Sequence, residues 1–242
     1  MTDMHQLPDD LIAEMTAKAR TAARILAQAD DATKAAALVA AAAALQRDAD
    51  TILAANAQDM EAGAKAGLSA AMLDRLKLDQ KRISAVADAV DQVAVLEDPV
   101  GQLIDSRTQP NGLVMRRVRI PVGVLGIIYE SRPNVTADAA ALGLRAGNAV
   151  ILRGGSEAVH SNRAIHKAMV SGIVTAGLPA DAVQLVPTQD RAAVGAMLRA
   201  QGAIDMIIPR GGKSLVKGVQ DEARVPLRAL IDRINHSYVH KD

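Results

Sequence analysis

Residues 122–158 decide the fold, and they read VGVLGIIYESRPNVTADAAALGLRAGNAVILRGGSEA. An apolar run at 122–128 is followed by a helix-forming run at about 135–146 that Gly147 closes, and then by a second apolar run at 149–152. Short apolar runs that alternate with helical segments are typical of a parallel sheet with right-handed crossovers. The stretch therefore predicts two parallel strands joined by a helix.

The same order of strand, loop and helix continues along the chain to about residue 223. Two further strands are predicted at 183–186 and 203–208, and the later helices are predicted to end near residues 170, 200 and 223. Four such units predict an α/β fold with a four-stranded parallel sheet.

The first hundred residues have a helical pattern instead. Apolar residues spaced three and four apart, with alanine between them, predict helices at 9–27, 32–55 and 80–95. Asp31 and Ser69 are the predicted N-caps, and Gly67 is the predicted C-cap. Alanine-rich faces allow close approach, and the heptads of a coiled coil are absent, so we expect a packed helical layer.

Between these two regions, residues 107–118 predict a β-hairpin. Polar and β-branched residues flank the sequence QPNG, which places the turn at Asn111-Gly112. The resulting organisation is a helical segment at 1–106, the hairpin at 107–120, the strand–helix units at 121–225 and a final segment at 226–242.

The loops that follow the four strands are the expected ligand site. Ligands of open α/β sheets bind outside the carboxyl ends of the strands, here at residues 129–134, 153–157, 187–190 and 209–214. Two of these loops carry paired glycines and three carry an arginine, a combination that suits a phosphate group. The alternative is that the glycines only make tight turns and Ser156 only caps a helix.

Several standard site motifs are missing. No G-x-G-x-x-G follows a strand, and Ile207 stands where the P-loop that would end in Gly212-Lys213-Ser214 needs a glycine. The chain has no cysteine, no H-E-x-x-H and no G-x-S-x-G. We therefore expect neither a nucleoside triphosphatase, nor a metal site, nor a serine hydrolase.

Composition excludes other classes of partner. The net charge is +1 and only two residues are aromatic, which argues against nucleic acid binding. The N-terminus lacks the pattern of a secretion signal, and the longest apolar run, 35–45, is too short to span a bilayer. We expect a soluble cytoplasmic protein without a membrane partner.

Five blocks of sequence carry a family resemblance. They are PVGV (121–124), IYESRPNVT (128–136), GNAVILRGGSEA (147–158), IPRGGK (208–213) and EARVP (222–226). In this order they closely resemble the γ-glutamyl phosphate reductase (glutamate-5-semialdehyde dehydrogenase) family of the aldehyde dehydrogenase superfamily. The resemblance covers nearly the whole chain.

The resemblance implies a Rossmann-like NADP-binding domain and an oxidoreductase of proline biosynthesis that reduces L-glutamyl 5-phosphate with NADPH. It implies that residues at three loops bind the cofactor: Arg153, Gly154, Gly155, Ser156, Glu157, Pro187, Thr188, Arg210, Gly211, Gly212, Lys213 and Ser214. Residues 153–157 would contact the adenosine ribose and its 2′-phosphate. Asn134 would donate to the developing oxyanion, or it is only a turn asparagine after proline.

The end of the chain departs from the family pattern. The family places its nucleophilic cysteine in a segment that here reads DRINH (232–236), so Asn235 occupies the nucleophile position. An amide cannot form a thioester, and the family continues into a catalytic domain roughly where this chain stops. We therefore expect the chain alone to be inactive. The alternative function is a non-catalytic NADP(H)-binding or oligomerising fragment, with the hairpin as the element that makes a homo-oligomer.

Overall fold

The computed structural model describes residues 7–228, and this part of the chain contains nine α-helices and six β-strands. The helices are α1 (Pro8–Leu26), α2 (Asp31–Arg47), α3 (Ala49–Lys65), α4 (Ala70–Leu76), α5 (Gln80–Ala94), α6 (Asn134–Arg145), α7 (Val159–Thr175), α8 (Arg191–Arg199) and α9 (Lys213–Glu222). The strands are β1 (Leu103–Thr108), β2 (Val114–Val118), β3 (Val124–Tyr129), β4 (Ala149–Arg153), β5 (Val183–Leu185) and β6 (Met206–Arg210).

The predicted α/β fold is confirmed. Strands β5, β4, β3 and β6 form a four-stranded sheet in that order, and all neighbours are parallel. Every residue of β3 and β4 is buried, as expected for central strands covered by helices on both faces. The four strand–helix units lie within a few residues of their predicted positions.

Helices cover the sheet in layers. Helices α6 and α7 lie against β3, β4 and β5, and α2, α3 and α5 pack outside them. Helix α1 contacts β3, β4, β5 and α8. Because crossovers are right-handed, α8, which returns the chain from β5 to β6, covers the opposite face from α6 and α7. One continuous cluster of buried side chains joins the helical layer to the sheet.

Two predictions about the N-terminal helices were wrong. The single helix expected at 32–55 is two helices, α2 and α3, separated at Asp48, whose backbone has φ −94° and ψ 14°. The sequence around Asp48, LQRDADTIL (45–53), contains no glycine or proline, so no local signal marks the break. The cap of α2 is Asp30, whose carboxylate accepts from the Thr33 N–H, while Asp31 is the first helical residue.

The other two predicted caps are confirmed. The Ser69 hydroxyl accepts from the Met72 N–H at the start of α4. Gly67 follows the end of α3 with φ +75°, a conformation that favours glycine.

The predicted close packing of alanine-rich helices is found where α2 crosses α7. A Cβ on Gly172 of α7 would lie 2.3 Å from the Ala41 Cα of α2, so the two backbones are in direct contact. Only glycine fits at this crossing, and a larger residue would have to separate the helical layer from the sheet.

The hairpin is also confirmed, with two differences of detail. Strand β1 begins at Leu103, four residues before the predicted start. The turn is closed by the Gly112 N–H, which donates to the Gln109 carbonyl, so Pro110 and Asn111 are its central residues. All residues of β1 and β2 are exposed, and several are large and apolar: Leu103, Ile104, Val114, Met115 and Val118.

Candidate functional site

The strand order creates a crevice at the carboxyl edge of the sheet between β3 and β6. The chain runs from β3 outward to β5 on one side and then returns to β6 on the other side. This reversal is the topological switch point at which open α/β sheets bind ligands. The loops after β3 and β6, residues 130–134 and 211–212, border the crevice.

Three contacts join the four loops of this edge. The Arg153 guanidinium donates to the Gln189 carbonyl at 3.0 Å, which links the loops after β4 and β5. The Ser131 N–H donates to the Glu157 carboxylate at 3.1 Å, which links the loops after β3 and β4. The Gly212 N–H donates to the Glu130 carboxylate at 2.8 Å across the crevice itself.

Glu130 occupies the N-terminus of α9. Gly212 precedes this helix, and its N–H is one of the groups that has no partner within the helix. A carboxylate at that position is favoured by the helix dipole, and a Cβ on Gly211 would lie 2.6 Å from the same carboxylate. The glycine pair therefore lets the Glu130 carboxylate reach the backbone N–H that the loop sequence predicts to face a phosphate.

Arg153 is buried, and its guanidinium donates to two backbone carbonyls of the edge, Gly154 and Gln189. Burial lowers the pKa of Arg153, an effect that the nearby Glu157 carboxylate opposes. The Nε of Arg153 and the Oε1 of Gln189 are buried without a hydrogen-bond partner. Such atoms are uncommon in a folded protein. Here they leave one hydrogen-bond donor and one acceptor unsatisfied beside the loop after β4.

The remaining predicted cofactor residues lie along the same edge. Gly154 packs against Tyr129 and Asn162, and a Cβ on Gly155 would lie 2.6 Å from the Glu157 carboxylate. The Pro187 carbonyl accepts from Arg163, and the Thr188 hydroxyl accepts from the Asp190 N–H. The other members are exposed: Ser156, Arg210, Lys213 and Ser214.

The alternative role of Ser156 as a helix cap is wrong. No side chain of the preceding loop caps α7. The Asp59 carboxylate of α3 instead accepts from the His160 and Ser161 N–H groups at 3.1 and 2.7 Å. A residue distant in sequence therefore satisfies the start of α7, which leaves the Ser156 hydroxyl at the surface.

A buried hydroxyl chain supports the loops from below. The Tyr129 hydroxyl lies 2.7 Å from the Thr136 hydroxyl, which in turn lies 3.0 Å from the Asn162 amide oxygen. Burial raises the pKa of Tyr129 to about 12. The phenol therefore stays neutral at physiological pH and ties β3 to α6 and α7.

Asn134 begins α6 and lines a cavity of about 450 Å³ between α5, α6 and the segment after α4. Its amide donates to the Asp138 carboxylate at 3.0 Å, one helical turn further along. Four cationic side chains also line the cavity: Arg75, Lys77, Arg82 and Arg132. Burial raises the pKa of the Asp138 carboxyl, while the Asn134 hydrogen bond and the charge of Arg210 oppose the rise.

The sequence patterns did not indicate Glu130 and Asp138 as members of the site. Glu130 is within the quoted loop, but its partner is 82 residues away. Asp138 could have been found, because residues four apart share one face of a helix. Asn235 lies outside the described residues, so no contact is available for it.

Within residues 7–228, no three or more histidine, aspartate or glutamate side chains are arranged to hold a metal ion. In the same part of the chain, no helix has the length and apolar character that a membrane span requires.

Fold and site define a class: an α/β protein with a parallel sheet, glycine-rich loops at its carboxyl edge and a covering layer of N-terminal helices. Residues 1–231 match the model of the aldehyde dehydrogenase family, and the chain belongs to that family of oxidoreductases. This confirms the resemblance found in the sequence.

Individual relatives show which members of the family the chain is similar to. The chain is 72% identical to γ-glutamyl phosphate reductase of Sphingopyxis alaskensis, over 95% of this chain and 53% of the relative. It is 66% identical to the enzyme of that name from Novosphingobium aromaticivorans, over 96% of this chain and 54% of the relative. The crystal structure of γ-glutamyl phosphate reductase from Thermotoga maritima superposes with a TM-score of 0.88 at 39% identity and covers 90% of this chain and 53% of that one. The chain thus spans about half the length of the curated relatives it matches.

Proposed function

We propose that this chain is the cofactor-binding part of a γ-glutamyl phosphate reductase. Such an enzyme reduces L-glutamyl 5-phosphate to glutamate 5-semialdehyde with NADPH. We place this reaction in proline biosynthesis, in the cytoplasm. Two relatives that are 72% and 66% identical to this chain carry that name. The observation that carries the proposal is the edge itself, because side-chain-to-backbone contacts hold all four strand-end loops together.

The edge fits a dinucleotide phosphate. Glycine pairs lie in the loops after β4 and β6, and the second pair is exposed and precedes the N-terminus of α9, where anions are stabilised. Arg153 and Gln189 hold unpaired buried atoms beside the first pair. Residues 153–157 would hold the adenosine ribose and 2′-phosphate, and residues 187–188 and 210–214 the rest of the molecule. When bound, NADPH supplies the hydride.

The cavity at Asn134 is the proposed substrate site. A preorganised amide N–H that points at a developing oxyanion stabilises that oxyanion by an amount on the order of several kcal/mol. The cationic lining suits a substrate that carries an acyl phosphate and a carboxylate. Asp138 holds the Asn134 amide, so one of its two N–H groups is already oriented.

These 242 residues contain no cysteine, so they do not supply the thiol nucleophile that the family resemblance implies. We expect no turnover from this chain alone and no recovery from Asn235→Cys alone. The second candidate function, a non-catalytic NADP(H)-binding or oligomerising protein, is favoured by the exposed apolar hairpin. Such a hairpin is a ready-made pairing surface, and a homo-oligomer is the proposed use.

The test is an NADPH titration followed by an assay of the reverse reaction. We expect NADPH fluorescence to report binding, and Lys213→Gln to weaken it severalfold, while Lys217→Gln one turn along α9 serves as the matched control. Incubation with glutamate 5-semialdehyde, phosphate and NADP should then yield no NADPH. A folded protein that fails to bind NADPH would reject the cofactor proposal, and turnover would reject the requirement for a cysteine.

A further inference from the structure

We propose that Asp138 recognises the α-ammonium group of the substrate and so makes the cavity selective for an amino acid. The inference rests on the proposed function, because it takes the cavity at Asn134 as the substrate site. It assigns a role to one carboxylate: Asp138 would favour ligands that carry an α-ammonium group over ligands with the same acidic groups that lack it.

The position of Asp138 carries the inference. Its side chain is half-buried at the cavity wall, and within residues 7–228 its only hydrogen bond comes from the Asn134 amide, to one carboxylate oxygen. The second oxygen therefore keeps its capacity to accept. Asp74 is the other carboxylate of the lining, but it is mostly exposed and pairs with Arg82 at 2.7 Å. Asp138 is thus the one acidic group of the described lining that a ligand can use without displacing an ion pair.

The charge of Asp138 is not needed to hold Asn134. A neutral acceptor of the same shape would orient the amide equally well, and burying part of a carboxylate costs free energy that the charge of Arg210 offsets only in part. Burial accordingly raises the pKa of this carboxyl. A ligand cation that enters the cavity would remove that cost, so the site is complementary to a positive group at this point and to negative groups at the arginines.

The spacing agrees with one ligand that meets both residues. The Asn134 amide nitrogen and the Asp138 carboxylate oxygen that it contacts are 3.0 Å apart, and a hydrogen bond of about 3 Å from each to a ligand would place the two ligand groups several ångströms apart. Four single bonds separate the reacting carbon of a 5-substituted glutamate from its amino nitrogen, which is roughly 5 Å when extended. A carbonyl held by Asn134 therefore leaves the ammonium within reach of Asp138, and the α-carboxylate and phosphate remain for the cationic side of the cavity.

The test compares two stable phosphonates that need no turnover. L-2-Amino-5-phosphonopentanoate carries the ammonium group, and 5-phosphonopentanoate lacks it but is otherwise matched. Their affinities for the 242-residue chain are measured by calorimetry or by amide NMR shifts, with circular dichroism to check the fold. The variants are Asp138→Asn, which retains the acceptor for Asn134, and Asp50→Asn, at an exposed position of α3 outside the cavity lining, as the control carboxylate.

We expect the wild-type chain to bind the amino phosphonate at least about tenfold more tightly, equivalent to about 1.4 kcal/mol. Asp138→Asn should reduce this ratio to near one, and Asp50→Asn should leave it unchanged. A wild-type ratio near one, a ratio that survives in Asp138→Asn, or an equal loss of both ligands would overturn the inference and leave the substrate cavity standing. If neither phosphonate binds a chain that still binds NADPH, the substrate cavity of the proposed function is itself wrong and the inference is overturned with it.

Discussion

The helical layer and the carboxyl edge of the sheet both contain charged side chains, but they use them differently. In the helical layer, the fully buried Lys34 ammonium forms an ion pair at 2.5 Å with the Asp98 carboxylate and makes no further hydrogen bond within residues 7–228, and the buried Arg145 pairs with the exposed Asp31 carboxylate at 2.6 Å. Arg145 also donates to the Leu96 carbonyl, so these pairs join α2, α6 and the segment that follows α5. At the carboxyl edge, Arg153 and Gln189 keep buried atoms without partners, and Asp138 keeps an open oxygen.

This difference predicts that charges in the helical layer contribute mainly to the stability of the fold, whereas charges at the carboxyl edge contribute mainly to ligand binding. Charges that are paired inside the protein stabilise it only as pairs, because a single buried charge is costly. Charges at the edge retain capacity for a ligand and so contribute less to the fold. Substitutions in the helical layer should therefore lower the free energy of unfolding, whereas substitutions at the edge should change binding.

The largest expected effect follows from breaking the Lys34–Asp98 pair. Asp98→Asn retains an acceptor for the Val100 N–H but leaves the buried Lys34 ammonium without a counter-charge. We expect a loss of about 3–5 kcal/mol in the free energy of unfolding, measured by urea denaturation.

The matched control for this prediction is Glu61→Gln. Glu61 pairs with Lys65 on the surface of α3, with both side chains more than two-thirds exposed, so the loss should be no more than about 0.5 kcal/mol. Equal losses in the two variants would remove the distinction between the buried and the surface pairs.

A smaller effect is expected from Asn56→Ala, which connects the two regions. The buried Asn56 amide donates to the Leu76 carbonyl and to Ser161, and accepts from the Leu78 N–H. Its removal leaves backbone groups unsatisfied, at a cost of about 1–3 kcal/mol. Because Leu78 lines the cavity, phosphonate binding should weaken as well. Asn111→Ala, in the exposed hairpin turn, should leave binding unchanged, and a variant at Asn56 with unaltered binding would contradict this link.

At the edge, Glu130→Gln should sharpen the comparison. Its carboxylate accepts from the Gly212 N–H at the start of α9, an interaction of about 0.3–1 kcal/mol. We expect a stability loss within that range and a severalfold gain in NADPH affinity, because the competing negative charge is gone. Glu222→Gln, at the other end of α9, is the control. Weaker NADPH binding in Glu130→Gln would show that Glu130 supports the loop and does not compete with the ligand.

The smallest effect is a slope of stability with pH that depends on His166. Burial lowers the pKa of His166 from 6.5, although its Nε2 lies 2.9 Å from the Val183 carbonyl. The folded state therefore resists protonation that the unfolded state accepts, so this residue's contribution is fully present above pH 6.5 and is lost as the pH falls toward the lowered pKa. His166→Gln should flatten the decline of stability below pH 6.5. His160→Gln, at an exposed position, should retain it, and identical slopes in all three proteins would refute the assignment to His166.

Much of the fold could be predicted from local sequence. The short apolar runs in 122–158 were bounded by glycine and loop residues, so the strands and their helices appeared close to their observed limits. The break at Asp48 was not predictable in this way, because the surrounding sequence LQRDADTIL (45–53) has no glycine or proline and is compatible with one long helix as well as with two. Tertiary packing, and not helix propensity alone, determines that the chain forms two helices at this position.

The sequence alone determined that the loops share one edge, since parallel strands all present their carboxyl ends to the same side. The motifs in those loops also determined the family. Only the tertiary structure decided which polar atoms meet: Glu130 with the Gly212 N–H, Asp59 with the start of α7, and Asp138 with a cavity that α5 completes. The physical reason is the sequence separation of the residues that interact. Strand and helix preferences are properties of neighbouring residues, whereas each of these contacts depends on how separate elements pack.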